Sequence, residues 1–491
     1  MVVTDHLTTV RDRALAVCQE LRQGPPARPT YLAVTQVQSA AADLVMLFCR
    51  WAERLCGQAE PVHYFFDPDT LCEWLAVGSV DAQLLTAGAT LPELAQAWDD
   101  LVPRLRGDVG DVRGFFGFAF APAGASGRGA WAAWPDARLV LPRLLLRRTA
   151  EGTVCTTAVA PVTAADDPLA VAERLELDLA SATTVTLPVA WRDACDGDVT
   201  PDAAEEGDAA GAAGRSSVDW CAAVADTVDD IRNGRAQKVV LARTQWLATG
   251  AWSACRLERA LRLLRAGQPR TAIYALTCGA DVLVGASPER LARVEEGRIR
   301  VDCLAGTSSR PDGGTAADDE AACAALAASE KDLAEHAHVV SAVVQGLAEF
   351  VTSVDVPDRP RVMTLAHLHH LHTPVTGRLR AGSDLLHVLA RLHPTPAVAG
   401  VPRAAAFAAI ARRERMWRGW YAGGIGHVSP GGDGACFVAL RCALWTRRGA
   451  HLFAGAGIVA DSDPRAEWRE TVAKLRTMRA ALLPEGEDED G

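Results

Sequence analysis

Six side chains in four short stretches are of the kinds that move protons or hold metal ions. Lys238 lies in "AQKVVLAR" and Glu289 in "VGASPERL". Glu335 lies in "ASEKDLAEHAHVV", and Glu467, Glu470 and Lys474 lie in "DPRAEWRETVAKL". The chain holds only three lysines, Lys238, Lys331 and Lys474, among 50 basic residues. Arginine is the default cation here, so each lysine asks for a reason. A desolvated ammonium can release a proton near neutral pH, whereas a guanidinium stays charged. The plainer reading is three survivors on solvated surface.

Local spacing leaves both readings open. Glu467, Glu470 and Lys474 stand at i, i+3 and i+7 and share one helical face. Glu470 and Lys474 form the favoured i, i+4 ion pair of an ordinary solvated face. The small residues of "GAGIVADSDP" just before them would also let backbone approach a ligand. Lys331 and Glu335 are again i, i+4, but an apolar run follows, and a carboxylate facing inward there would need a partner. Glu289 follows a stiff Ser-Pro turn. It either caps a helical turn or is a carboxylic acid held in place.

Composition narrows the class. The chain has 491 residues, 49% hydrophobic and 23% charged, enough for a large core. A net charge of −11 argues against a nucleic-acid partner. The sequence holds no apolar run of membrane-spanning length, so no membrane partner is expected. "MVVTDHLTTVRDRALAVCQELRQ" lacks the basic start and apolar stretch of a signal peptide. Leu7, Val10, Ala14, Leu15, Cys18 and Leu21 instead trace an amphipathic helix. The 13 cysteines are odd in number and form no C-x-x-C pair, the usage of a reducing cytoplasm. The histidine cluster "HLHHLHT", 367–373, matches no zinc spacing.

Punctuation divides the chain into residues 1–190, an acidic Gly/Ala-rich flexible loop at 191–216, a motif-rich region at 217–480, and a disordered acidic tail at 481–491. "GFFGFAFAP" and "RLVLPRLLLRR" read as strands. Residues 218–234 read as a helix ending at Gly234, followed by a strand over 236–248. Residues 318–351 form a long helix with a break near Ser329. Residues 402–421 form another. "ACFVALRCALW" and "AHLFAGAGIVA" pair as a hairpin, and a last helix opens with Asp463 as N-cap and Pro464 at its first position.

Taken in order, "GRAQKVVLAR", "GASPERL", "LAGTSSR", "SEKDLAEH", "HHLHTPVTGRL", "LHPTPAVAGVP", "YAGGIG", "FVALRCALW" and "AGAGIVADSDPRAEWRETVAKL" resemble the chorismate-utilising enzymes, the anthranilate, aminodeoxychorismate, isochorismate and salicylate synthases. The resemblance covers residues 217–480, with residues 1–190 as the more variable half of the same fold. It implies an α/β (α+β) fold, a large two-sheet antiparallel β sandwich with flanking helices. It also implies chorismate as substrate and Mg²⁺ as cofactor. By resemblance, Glu335 and Glu470 hold the metal, with Glu467 nearby. Arg441 and Tyr421 hold a substrate carboxylate. Gly306, Ala397 and Gly455 meet the substrate closely, Lys474 lies near the metal, and Thr307 and His370 line the site.

The resemblance also answers for Lys238. Isochorismate and salicylate synthases place a water-activating lysine there, where ammonia-using anthranilate synthases have glutamine. Lys238 is therefore expected as general base and Glu289 as general acid. Ala305 replaces the nucleophilic lysine of aminodeoxychorismate synthases. Ala397 replaces a threonine typical of salicylate synthases. The expected enzyme is an isochorismate synthase, an isomerase serving menaquinone or siderophore biosynthesis. A salicylate synthase is the alternative, followed by an anthranilate-type or aminodeoxyisochorismate-type enzyme. A non-catalytic binding relative would be expected to lose Lys238, Glu289 or a metal glutamate, and all are present. No glutamine amidotransferase subunit is expected, and the protein is expected to be monomeric.

Overall fold

The computed structural model describes residues 9–483, except 25, 27, 39–41, 82–89, 124–127, 185–215, 310–314 and 365–367; at 307, 309, 331 and 368 it describes the backbone alone. The 191–216 loop (all but Ser216), the tail from 484, Leu7 and His367 fall outside this set.

Two large sheets face one another. The first has twelve strands, in the order Gly400–Val401, Lys238–Leu247, Ala450–Ile458, Cys442–Trp445, Asp281–Ser287, Ala272–Cys278, Val62–Phe66, Glu73–Val77, Leu144–Arg148, Val154–Val162, Thr30–Val37 and Leu105–Gly107. The second has nine strands, running from Val351–Asp355 through Leu368–Leu379, Arg298–Ser309, Arg290–Glu295, Gly434–Val438, Gly424–Val428 and Gly114–Phe118 to Ala137–Val140, with Arg361–Thr364 also paired to Leu368–Leu379. Neighbours are antiparallel except Thr30–Val37 with Leu105–Gly107. Both halves of the chain contribute to both sheets: Phe66 pairs with Ile273 at the middle of the first.

Period-two alternation builds two cores. In Ala272–Cys278, Ile273 and Ala275 face the outer helices, whereas Ala272, Tyr274 and Leu276 face the other sheet. The outer core packs the first sheet against Val10–Gln23, Leu44–Arg54, Pro168–Ser181, Ala254–Gly267 and Pro464–Leu482. The first helix buries Ala14, Cys18 and Leu21 as its pattern requires, together with Val17, which the pattern left out, but Leu15 is exposed.

Three expectations need revision. "ACFVALRCALW" is not one strand of a hairpin. Gly434–Val438 belongs to the nine-stranded sheet, and after Arg441, at φ +45°, Cys442–Trp445 joins the twelve-stranded one and pairs with Ala450–Ile458. "RLVLPRLLLRR" likewise splits between sheets. The helix expected over 402–421 stops at Arg413, because Glu414 leaves helical geometry and turns inward. The Ser329 break is real: its side chain caps the helix Glu330–Leu347 while ending Ala316–Ala328. No described helix is long and apolar enough to cross a membrane, and the described cysteines are free thiols.

Packing sets a testable contrast between two glycines. A Cβ on Gly117 would lie 2.0 Å from the Trp420 ring, whereas one on Gly267 meets nothing within 4 Å. Gly117→Ala should cost about 1–3 kcal/mol in denaturant unfolding, and Gly267→Ala should be neutral or stabilising by up to ~1 kcal/mol.

Candidate active site

The site forms where the chain passes between the sheets. Asp281–Ser287 ends in the twelve-stranded sheet and Arg290–Glu295 begins in the nine-stranded one, so Pro288 and Glu289 are the crossing. Glu289 therefore neither starts a helix nor caps one. The return crossing, Ala439–Arg441, lies alongside. Val438 N donates to Glu289 O at 3.0 Å and Ala286 N to Arg441 O at 3.0 Å. Ser287 Oγ donates to Val438 O at 2.6 Å. Two crossings tied backbone to backbone thus bring an acid and an arginine together.

Lys238 opens its strand and pairs with Val401. Gly457 on the adjacent strand leaves room for its stem, since a Cβ there would be 3.1 Å from Lys238 Cε. Its Nζ donates to Glu335 Oε1 at 3.0 Å. Glu335 is thus drawn across the cleft toward Lys238. The next residue fixes that helix. His336 Nδ1 donates to Ala305 O at 3.2 Å, which leaves Nε2 to accept from Thr373 Oγ1 at 2.7 Å.

Pro464–Leu482 supplies the opposite wall. Asp463 caps it, accepting from Ala466 N at 2.8 Å. Lys474 Nζ lies 2.5 Å from Glu470 Oε1 and donates to Gly455 O at 2.9 Å. The expected surface pair exists, but it faces the cleft. Gly455 cannot carry a side chain, because a Cβ would sit 3.0 Å from the Tyr421 hydroxyl and 2.9 Å from Leu241 O. Gly306, at φ +75°, forms a bulge opposite His370, whose ring hydrogen-bonds the Gly306 backbone.

Electrostatics joins these groups into one constellation. Burial raises the Glu289 carboxyl above the usual carboxylate range, while Lys238, Lys474 and Arg441 pull it back. Burial lowers Lys474, opposed chiefly by Glu470. Burial also lowers Arg441, opposed by Tyr421, Glu470 and Glu289. Tyr421, fully enclosed, is raised by burial. Burial raises Glu467, a hydrogen bond from Ser462 lowers it, and Glu470 raises it again. Burial lowers His370, which feels Lys474, Lys238 and Glu470. Thr307 lies on the same bulge with its side chain undescribed.

Ala397 sits half-buried in a turn beside the Lys238 strand, where Val240 N donates to Ala399 O at 3.0 Å. The sequence reading missed what holds this turn. Arg418 and Glu414, both 2% exposed, form a buried ion pair at 2.5 Å. Arg418 also donates to Val398 O at 2.9 Å and Val240 O at 2.7 Å, and Glu414 accepts from Ala242 N at 2.8 Å. The only sequence signal was an i, i+4 pair at the end of a helix that looked continuous. The other described histidines of the cluster contact neighbouring side chains: His369 meets Cys323, and His372 meets Asp302 at 2.8 Å.

The chain belongs to the chorismate binding enzyme family, whose model matches residues 26–483. It is 38% identical over 384 residues to the salicylate biosynthesis isochorismate synthase of Pseudomonas aeruginosa, covering 78% of this chain and 75% of that one. It is 33% identical over 370 residues to isochorismate synthase MenF of Bacillus subtilis, covering 75% and 74%. The solved structure of MenF, the menaquinone-specific isochorismate synthase of Escherichia coli, superposes with a TM-score of 0.72 at 24% identity, covering 96% of this chain and all of that one. That likeness confirms the two-sheet fold.

The buried pair yields a stability prediction. Arg418→Ala leaves Glu414 buried and uncompensated, so unfolding should weaken by about 3–5 kcal/mol, whereas Arg418→Met combined with Glu414→Leu should recover much of that loss. Denaturant titration of the single and double variants checks it.

Proposed function

We propose that the chain is an isochorismate synthase, converting chorismate to isochorismate by adding water at C2 and expelling the C4 hydroxyl. The observation that carries this reading is Lys238 facing the same cleft as a buried acid, Glu289, whose carboxyl feels the Lys238 charge. The names of the two relatives support the same reaction.

In this reading Lys238 takes a proton from water as its oxygen bonds to C2. The two ring double bonds each shift one position, and Glu289 delivers a proton to the C4 oxygen as it leaves as water. Lys238 must part from Glu335 to reach that water. Its neutral amine is the working form. Arg441 and Tyr421 hold a substrate carboxylate, for which a forked guanidinium is suited. Gly306, Gly455 and the Ala397 turn let backbone approach the ring, while His370, Thr307 and Lys474 line the wall. Ala397 leaves the turn without the hydroxyl of a threonine, which favours release of isochorismate over further elimination.

The donors Glu335, Glu470 and Glu467 are all carboxylates, the chemistry of a hard divalent cation such as Mg²⁺. Two of them are already met by ammonium groups at 3.0 and 2.5 Å, so the place is built for positive charge. Such an ion, when bound, supplies Lewis-acid polarisation of a substrate carboxylate. The product would serve menaquinone or siderophore biosynthesis in the cytoplasm. The enzyme would act alone as a monomer, without an amidotransferase subunit.

Turnover of chorismate in ¹⁸O-water should place the label in the isochorismate hydroxyl at C2; unlabelled product would rule out external water as the nucleophile. Lys238→Arg keeps charge but lacks a usable base, so turnover should fall by roughly 10²-fold or more with unchanged thermal unfolding. Glu289 is raised, so its proton persists above the usual carboxylate range and is lost as pH climbs through the raised value. The rate should therefore decline on the alkaline side, and Glu289→Gln should remove that limb along with most activity.

A further inference from the structure

The outer edge of the Lys238 strand is covered only at its start. Gly400–Val401 pairs with Val239 and Lys238, and Val240 N reaches Ala399 O at 3.0 Å. Beyond that point no described strand lies on this side. Two side chains take its place. Arg418 Nη2 donates to Val240 O at 2.7 Å, and Glu414 Oε1 accepts from Ala242 N at 2.8 Å. The pair therefore continues the sheet edge where the ladder stops. Glu414 is placed to do so because the helix Arg403–Arg413 ends just before it.

One guanidinium spans two parts of the site. Arg418 Nε and Nη2 hold the two Glu414 carboxylate oxygens at 2.9 and 2.5 Å, and Nη1 donates to Val398 O at 2.9 Å. Val398 follows Ala397 in a turn closed by Val398 N and Ala399 N on Thr395 O. The centre of the Phe120 ring lies 4.1 Å from the guanidinium carbon. Tyr421 N donates to Arg418 O at 3.2 Å, so Tyr421 is anchored to the same residue. A buried ion pair adds little net stability over well-packed apolar residues of similar volume. What the fold gains from this one is its geometry. A planar fork fixes the spacing of Val240 O and Val398 O, which an ammonium on a flexible stem could not do.

We propose that Arg418, braced by Glu414, is a positioning residue for the hydration step, setting the Ala397 turn and the Lys238 strand at one fixed spacing across the substrate ring. This rests on the reading of the cleft given above. Arg418 touches no reacting atom and acts through the two backbone segments it joins. Its loss should slow the chemical step more than it weakens substrate binding, because Arg441 is untouched.

The test compares the full chain with two variants, Arg418→Lys and the double variant Arg418→Met with Glu414→Leu, each assayed with chorismate and Mg²⁺ well below its own Tm. In both, kcat should fall roughly 10-fold or more, while KM for chorismate stays within about threefold. Amide hydrogen exchange should quicken by about tenfold or more in residues 237–242 and 394–402 and stay unchanged in Ala272–Cys278. A folded variant with unaltered kcat, or exchange that quickens equally throughout the chain, would overturn the proposal. If neither variant folds, the unaltered protein decides. Its Ala242 amide, held by a side chain alone on that edge, should exchange as slowly as the Val240 amide; exchange about 100-fold faster would overturn the proposal. If the unaltered protein makes no isochorismate, the reading of the cleft fails, and the exchange pattern alone decides whether Arg418 holds the two segments together.

Discussion

A buried charge must meet its opposite, and this requirement organises the catalytic region more than any single apolar contact. Lys238 reaches across the cleft to Glu335, and Lys474 holds Glu470. Behind them Arg418 and Glu414 neutralise each other while gripping three backbone groups of the Lys238 strand and the Ala397 turn. The first pair joins elements remote in sequence, Lys474 also ties its helix to Gly455 O, and the third braces the turn beside the Lys238 strand. For Arg418 and Glu414, both 2% exposed, removing one member leaves the other to the full cost of desolvation.

The two sheets create the place where those charges can gather. Adjacent strands that switch sheets must leave both ladders briefly, and their backbone groups then need other partners. Here the Glu289 crossing and the Arg441 crossing satisfy each other. A carboxyl held by such a crossing is surrounded by rigid backbone, raised by burial and drawn back by three nearby cations. Proton transfer needs this kind of placement, because a general acid must be both protonated and in reach.

Much of the site was legible because it lies in short, ordered motifs. Asp463, Pro464 and the Glu467–Glu470–Lys474 face were read from helix signals alone, and a break near Ser329 was also expected. What failed shares one physical cause: local pattern cannot show a change of sheet. "ACFVALRCALW" has one continuous strand-like composition, yet Arg441 bends it from one sheet into the other. Ser-Pro-Glu left Glu289 open to two readings, a helix cap or a carboxylic acid held by the turn, and only the crossing geometry distinguishes them. The Glu414–Arg418 spacing is that of an ordinary surface pair, and nothing local says that both ends point inward. The spacing left open whether Glu335 faces inward, and its partner Lys238 is near only in space.

The central claim is that this cleft adds water to chorismate and stops at isochorismate. Incubating the purified protein with chorismate and Mg²⁺ and separating the products by chromatography tests it most directly. The account predicts isochorismate in equilibrium with chorismate and no pyruvate. Salicylate with pyruvate would show that the Ala397 turn does not prevent elimination. Unchanged chorismate, with or without ammonia, would contradict the catalytic roles given to Lys238 and Glu289.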